Sequence, residues 1–205
     1  ADKHYAKALQ YIKDVEHSRD LKRAKKLAFA EMKKVKIDSK REVLKVDLTG
    51  EIYLVCDSFS NQNITKELGK MGVQVRRSLT VSSFIKDAII PKAFRPPETH
   101  LQRAERMAKP YLMRDIGGDA LECVSDVVFA DVHGKDGIIH ISPFTCMPEI
   151  MSQNIFPTMR SEHEIPILTL IMDEQTGRAG YITRLEAFVD LMRRKKRKAK
   201  MVQAK

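Results

Sequence analysis

The sequence predicts an α/β protein with a mostly parallel sheet of about four strands and helices on both faces. Two observations predict it. Short apolar runs with strand character alternate along the chain with helical segments of ten to eighteen residues. Apolar residues make up 43% and charged residues 31% of the 205 residues, which is typical of a globular protein with a core. The alternation is the signature of βαβ units, which place successive strands parallel.

The chain begins with a predicted helical segment. Five apolar residues recur at roughly helical spacing: Tyr5, Leu9, Ile12, Leu27 and Val35. The pattern weakens at 17–20, so one long helix over 2–36 and two shorter helices both remain open. We expect 1–42 to be a helical connecting segment and 43–192 to be the α/β domain.

The strands and helices of the α/β domain follow from apolar runs, glycines and prolines. Buried strands are predicted at 51–56, 73–75, 137–142 and 165–171, and a further short run with strand character covers 43–47. Helices are predicted at 61–71, 79–89, 98–108, 119–133, 148–160 and 181–198. Asn61 or Asn63 can cap the first of these helices, and Gly72 lies where a glycine typically ends one. Pro148 fits a first helical turn, and three prolines make 91–97 a loop.

Cys146 is the main candidate for chemistry. In parallel sheets, ligands bind beyond the carboxyl ends of strands, so loops 56–63, 142–149 and 172–180 should share one edge. Cys146 lies in the second of these loops, before a helix whose N-terminal end favours an anionic sulfur. Such a thiolate can bind a soft metal or an iron–sulfur cluster, or act as a nucleophile, and an inert thiol is an equal alternative.

The other chemically interesting side chains permit two interpretations. Asp173 and Glu174 follow the last strand, and these carboxylates can bind a metal or polarise a substrate, or can equally cap a turn or helix. Asp57 and Glu149 carry the same ambiguity. His140 lies on a predicted core strand, where a satisfied buried histidine is favoured over a ligand or a base.

Cys56 and Cys123 are favoured as inert buried thiols. The odd number of cysteines, three in all, does not suggest a disulfide framework. No phosphate-binding loop, dinucleotide fingerprint or GxSxG motif is present in the sequence.

The charge distribution argues against a nucleic-acid-binding protein. The net charge of +10 divides into +7 over 1–46, +8 over 192–205 and −5 over 47–191, so the fold itself is acidic. The basic tail, 193–205, is predicted to be solvated and disordered. No apolar run reaches the ~18–20 residues that span a bilayer, and no signal peptide is visible. We therefore expect a cytoplasmic protein that binds neither membranes nor nucleic acid.

Three stretches of the sequence carry a family resemblance. Residues 136–150, which include Phe144-Thr145-Cys146-Met147-Pro148-Glu149, together with 165–177 and 183–190, resemble one family closely. It is the family of 2-hydroxyacyl-CoA dehydratases and benzoyl-CoA reductases. The match is to the C-terminal region of its CoA-substrate-specific enzyme activase branch, often labelled predicted nucleotide-binding proteins. Residues 50–53, Asn61 and 68–73 also match, so the resemblance covers roughly 45–195.

The resemblance implies a Rossmann-like or flavodoxin-like domain in an iron–sulfur protein. By this resemblance Cys146 is the candidate cluster ligand. We expect Thr145, Glu149, Asp173 and Glu174, on the same edge of the sheet, to lie near the cofactor. Low-potential electrons would come from a separate ATP-hydrolysing activator with an actin-like fold and would pass to a small-molecule substrate such as a CoA ester. Nothing is implied for Cys56 or Cys123.

Two departures from the family pattern shape the expected partners. Full-length members have an upstream region with further cysteines, and this chain lacks it and begins at Ala1. We therefore expect an excised domain whose cluster is incomplete or absent and which is inactive alone. Its expected partners are the upstream domain of the same protein and the activator, and homodimer formation stays open. The alternative is a non-catalytic nucleotide- or CoA-binding regulatory module that docks to the activator, for instance through helix 181–198.

Overall fold

The computed structural model describes residues 1–38, 40–82, 85, 89 and 98–203. The chain divides into two compact units, Ala1–Glu42 and Val43–Lys205. Five residues of the predicted helix 79–89 and the whole of the predicted loop 91–97 lie outside the described residues. Among the residues that are described, no helix is both long enough and apolar enough to cross a lipid bilayer.

The first unit holds two helices rather than one. They are α1 (Asp2–Lys13) and α2 (Leu21–Met32), joined through a 3-10 turn at Ser18–Asp20, where the apolar pattern weakens. Glu31 on α2 accepts hydrogen bonds from Lys34 and from the His4 ring, each at 2.8 Å. These bonds, that of Lys34 above all, lower the pKa of Glu31 to about 2.

The second unit contains a four-stranded parallel sheet. Its strands are β1 (Leu44–Gly50), β2 (Val73–Arg77), β3 (Gly137–Pro143) and β4 (Ile167–Met172). Their order across the sheet is β2-β1-β3-β4, and every neighbouring pair is parallel. The prediction of an α/β fold with a parallel, Rossmann-like sheet is confirmed.

Helices flank the sheet in the described part of this unit. They are α3 (Ile52–Cys56), α4 (Ile64–Lys70), α5 (His100–Ala108), α6 (Ala120–Val132), α7 (Met147–His163) and α8 (Arg178–Gln203). Gly72 ends α4 with a φ of +78°, as its position predicts. Asn61 caps α4, since its side-chain oxygen accepts the Ile64 N–H at 3.3 Å. Pro148 lies in the first turn of α7.

Two sequence expectations were wrong. Residues 52–56, expected in a buried strand, form α3, and the weaker run at 43–47 belongs to the real strand, β1. Residues 193–203, expected in a disordered tail, continue helix α8. Two contacts stabilise this part of α8. Lys196 pairs with Asp136 at 2.9 Å, and Arg193 donates to the Met71 carbonyl oxygen.

The sheet buries a separate apolar cluster on each face. One cluster combines side chains of all four strands with α3, α4 and α8, and the other combines α5, α6 and α7 with side chains of β3 and β4. Successive residues of β3 alternate between them, with Ile139 and Ile141 in the first cluster and Ile138 in the second. His140 therefore shares the face of Ile138, and its ring meets the edge of Phe156 of the second cluster.

Candidate functional site

Cys146 lies beyond the carboxyl end of β3, in the position that the sequence predicts. It is the N-cap residue of α7 and is half-buried. The preceding residue, Thr145, has a φ of +65°, a left-handed conformation that turns the chain sharply from strand to helix. This turn brings Cys146 to the N-terminal end of a 17-residue helix, where backbone N–H groups favour a negative charge.

Large apolar side chains are exposed on both sides of Cys146. Phe144 is 64% and Met147 is 66% exposed. Tyr53 and Phe59, which follow the neighbouring strand β1, are 63% and 92% exposed. Because β1 and β3 are parallel neighbours, these residues follow their strands at the same edge of the sheet. Exposed apolar groups concentrated at one edge are typical of a surface that another protein segment covers.

Asp173 and Glu174 lie in an exposed loop after β4. The Asp173 carboxylate accepts from the Gln175 N–H at 3.0 Å and from the Thr176 hydroxyl at 2.7 Å. Asp173 thus closes a turn, which is one of the two roles that the sequence left open. Both carboxylates border a shallow open groove that also includes Phe59 and Arg178.

Glu149 is not exposed at this edge. Its side chain points into the interior, is fully buried, and makes a short hydrogen bond to Nε2 of His140. The Cys123 thiol approaches the same carboxylate oxygen, with Sγ and Oε2 3.4 Å apart. The interior therefore contains a buried polar cluster, defined here by Thr49, Cys123, Asp126, His140 and Glu149.

Four elements build the buried polar cluster. Cys123 and Asp126 lie one turn apart on α6, His140 lies on β3 and Glu149 lies in the first turn of α7. Thr49 on β1 joins them, because its hydroxyl lies 2.6 Å from Asp126 Oδ2 and 3.5 Å from Cys123 Sγ. All five side chains are buried between the sheet and α6 and α7.

Burial and mutual repulsion shift the pKa values of the acidic groups on α6. Burial raises the pKa of Asp126 to about 6 and that of Glu122 to about 7. Burial, followed by repulsion from Glu149, raises the pKa of Asp119 and holds the pKa of the Cys123 thiol well above its usual value. The interior here disfavours additional negative charge.

The sequence singles out three members of this cluster but does not bring them together. It predicts Glu149 at the edge of the sheet and favours an inert thiol for Cys123 and a satisfied histidine for His140. In fact His140 Nδ1 and Glu149 Oε1 are buried without a hydrogen-bond partner. The wide spacing of 123, 140 and 149 in sequence gives no metal-ligand signal, since their convergence depends on how α6 and α7 pack on β3.

Comparisons of the chain with protein-family models, with curated proteins and with solved structures found no match.

Proposed function

We propose that this α/β domain belongs to an iron–sulfur protein related to the 2-hydroxyacyl-CoA dehydratases, and that Cys146 is one cluster ligand. The observation that carries the proposal is the placement of Cys146. Its half-buried sulfur lies at the carboxyl edge of a parallel sheet and at a helix N-terminus, where a cluster can reach it.

The ligand set of the described chain is not sufficient for a whole cluster. A cluster needs about three or four thiolates, and the chain has three cysteines. Cys123 lies in the buried polar cluster and faces inward to Thr49 and Glu149. The proposal therefore places the remaining thiolates on another segment, the upstream domain of the same protein, which packs on the edge around Cys146.

The exposed apolar residues at this edge support such a second segment. Phe59, Phe144 and Met147 would be covered by it, and water would be excluded from the cofactor. When bound, the cluster supplies low-potential electron transfer to a small-molecule substrate. This chain supplies one cluster ligand, Cys146. The turn at Thr145 orients that ligand, and the neighbouring apolar side chains shield it.

We also propose that the protein works in a reducing compartment, the cytoplasm. All three cysteines, Cys56, Cys123 and Cys146, are free thiols. An oxidising compartment favours disulfides, whereas a cluster ligand has to remain a thiolate.

Metal analysis of the longest natural protein that contains this sequence tests the proposal. The protein is purified without oxygen, and iron, sulfide and the visible spectrum are measured for the wild type and for Cys146→Ser. We expect iron and sulfide in the wild type and a clear loss of both in the variant. Cys56→Ser, which replaces another partly exposed cysteine, is the matched control and should keep its iron.

A colourless, iron-free wild type would overturn the proposal. The remaining candidate would then be the nucleotide- or CoA-binding module, which a ligand-dependent rise in melting temperature would reveal. The groove beside Asp173 and Glu174 makes this module the weaker candidate, because carboxylates repel phosphate groups.

A further inference from the structure

Three side chains of the buried polar cluster are of the types that bind transition metals. Cys123, His140 and Glu149 each offer one ligand atom, and the three atoms lie within 4.8 Å of one another. The Cys123 Sγ to Glu149 Oε2 distance is 3.4 Å. Two ligand atoms on a tetrahedral zinc ion, with Zn–S of about 2.3 Å and Zn–O of about 2.1 Å, would be about 3.6 Å apart. The sulfur and the oxygen already have nearly this separation.

The polar atoms of this group are not all satisfied by the protein. Glu149 Oε1 and His140 Nδ1 are fully buried without a hydrogen-bond partner. An unpaired buried polar atom typically costs about 1–3 kcal/mol, and more when it is charged. Oε1 belongs to the same carboxylate as Oε2, so a further group bound at this carboxylate can satisfy it, whereas Nδ1 lies on the opposite side of the His140 ring from Nε2.

The charge around the cluster indicates that this group is a cation. Three further carboxyl side chains lie close by on α6 and its N-terminal end, those of Asp119, Glu122 and Asp126. Arg76 is the basic side chain that acts on Asp126, but it is paired with the fully buried Asp47 on the neighbouring strand. Among the described contacts, no lysine or arginine pairs with Glu149, whose carboxylate meets the His140 ring and the Cys123 thiol.

We propose that Cys123, His140 and Glu149 bind one Zn²⁺ ion in the interior of the α/β domain. A thiolate, a carboxylate and a neutral imidazole carry two negative charges in total, so a divalent ion makes the site neutral. Binding releases the thiol proton of Cys123 to the solvent. The short His140–Glu149 hydrogen bond opens to admit the ion.

The ion would link three elements of the domain, which supply three of the four ligands usual for tetrahedral zinc. The three ligands come from α6, β3 and α7, so the ion ties the first turn of α7 to the sheet and to α6. Thr49, whose hydroxyl lies 3.5 Å from Cys123 Sγ and bonds Asp126, would orient the sulfur from outside the ligand set. The site is separate from Cys146 and does not depend on the proposed iron–sulfur function.

Metal analysis of the full chain tests the proposal. The protein is purified in the presence of a thiol reductant and without metal-affinity resin, and its zinc is measured by mass spectrometry. We expect about one zinc per folded chain. Cys123→Ala removes a ligand, so it should lower the zinc affinity by more than the roughly 10–100-fold that the loss of an outer partner costs, and the bound zinc should fall to a small fraction of one per chain. Cys56→Ala and Cys146→Ser should keep their zinc, which separates this result from any loss of iron.

Unfolding the wild-type chain, removing its metal and refolding it with Co²⁺ gives a second, direct measurement. A thiolate–cobalt charge-transfer band should appear in the wild type and be missing in Cys123→Ala. If Cys123→Ala fails to fold, the wild-type spectrum decides alone. A wild type that folds without metal and takes up neither zinc nor cobalt on refolding would overturn the proposal.

Discussion

Gly50 shows how closely β1 and β3 approach at the edge that carries Cys146. Its φ is +131°, and a Cβ atom built on it would lie 1.9 Å from the Ile141 carbonyl oxygen on the neighbouring strand. Since that oxygen is backbone in a parallel sheet, it cannot move away without breaking the strand pairing. Glycine is required here for both space and conformation.

We predict opposite effects for two glycine-to-alanine substitutions. Gly50→Ala should lower the free energy of unfolding by about 3 kcal/mol or more, because the clash and the strained φ add together. Gly69→Ala, in the interior of α4 with open space around it, should raise the free energy by about 0.5–1 kcal/mol. Urea unfolding of both variants measures the two changes. Equal stability of the Gly50→Ala variant and the wild type would contradict this geometry.

Glu31 makes the stability of the first unit depend on pH. Its pKa is lowered from 4.5 to about 2, so its ion pairs stabilise the fold above pH 4.5. That stabilisation is lost as the pH falls from 4.5 towards 2, because the folded state must then accept a proton at an unfavourable site. We predict an NMR titration midpoint for the Glu31 carboxyl near pH 2.

Lys34→Gln should move this midpoint upward, since the Lys34 hydrogen bond is the largest cause of the shift. Lys22→Gln, on the same helix as Glu31, is the control and should leave the titration midpoint of Glu31 unchanged. A wild-type midpoint near 4.5 would show that Glu31 is not paired.

At the scale of elements, α3 shows why an apolar run alone did not decide its structure. Residues 51–56 read as a buried strand because five of the six are apolar. The chain becomes helical because carboxylates satisfy its first N–H groups. Glu51 accepts from Tyr53 N and Leu54 N at 3.0 and 2.9 Å, and Asp119 accepts from Ile52 N at 2.9 Å. One of these caps comes from 67 residues away, which no local pattern reveals.

Glu51→Ala should therefore destabilise the domain by about 1 kcal/mol, the usual cost of losing an N-cap. Glu51→Asp keeps a carboxylate at the cap and should recover most of this loss. Thermal unfolding of the two variants beside the wild type checks the prediction. If both lose the same stability, the length of the side chain rather than its capping charge determines the effect.

At the scale of the whole molecule, the sequence predicts the type of sheet but not the order of its strands. The alternation of strands and helices predicted a parallel sheet, and the glycine, proline and apolar patterns located α4 to α7 and three of the strands. The order β2-β1-β3-β4 depends on packing and could not be read from the chain. For the same reason, Glu149 was expected beside Cys146, whereas its side chain packs inward onto His140 and Cys123.

The division of the chain into Ala1–Glu42 and Val43–Lys205 leads to the last prediction. Both apolar clusters of the sheet are built from residues after 43, and the pairing of all four strands lies within the second unit. The described residues of the segment 33–43 form no helix or strand, and Ile37 is exposed, so we expect a protease to cut in this segment first.

The chain 43–205, expressed alone, should keep the circular-dichroism spectrum of an α/β protein and unfold cooperatively. Its melting temperature should lie within about 5 °C of that of the full chain, since roughly 1 kcal/mol shifts a domain of this size by 2–4 °C. The control is 51–205, which lacks the central strand β1 and should not fold. If 43–205 were also unfolded, the sheet would need the N-terminal helices, and the two units would not be independent.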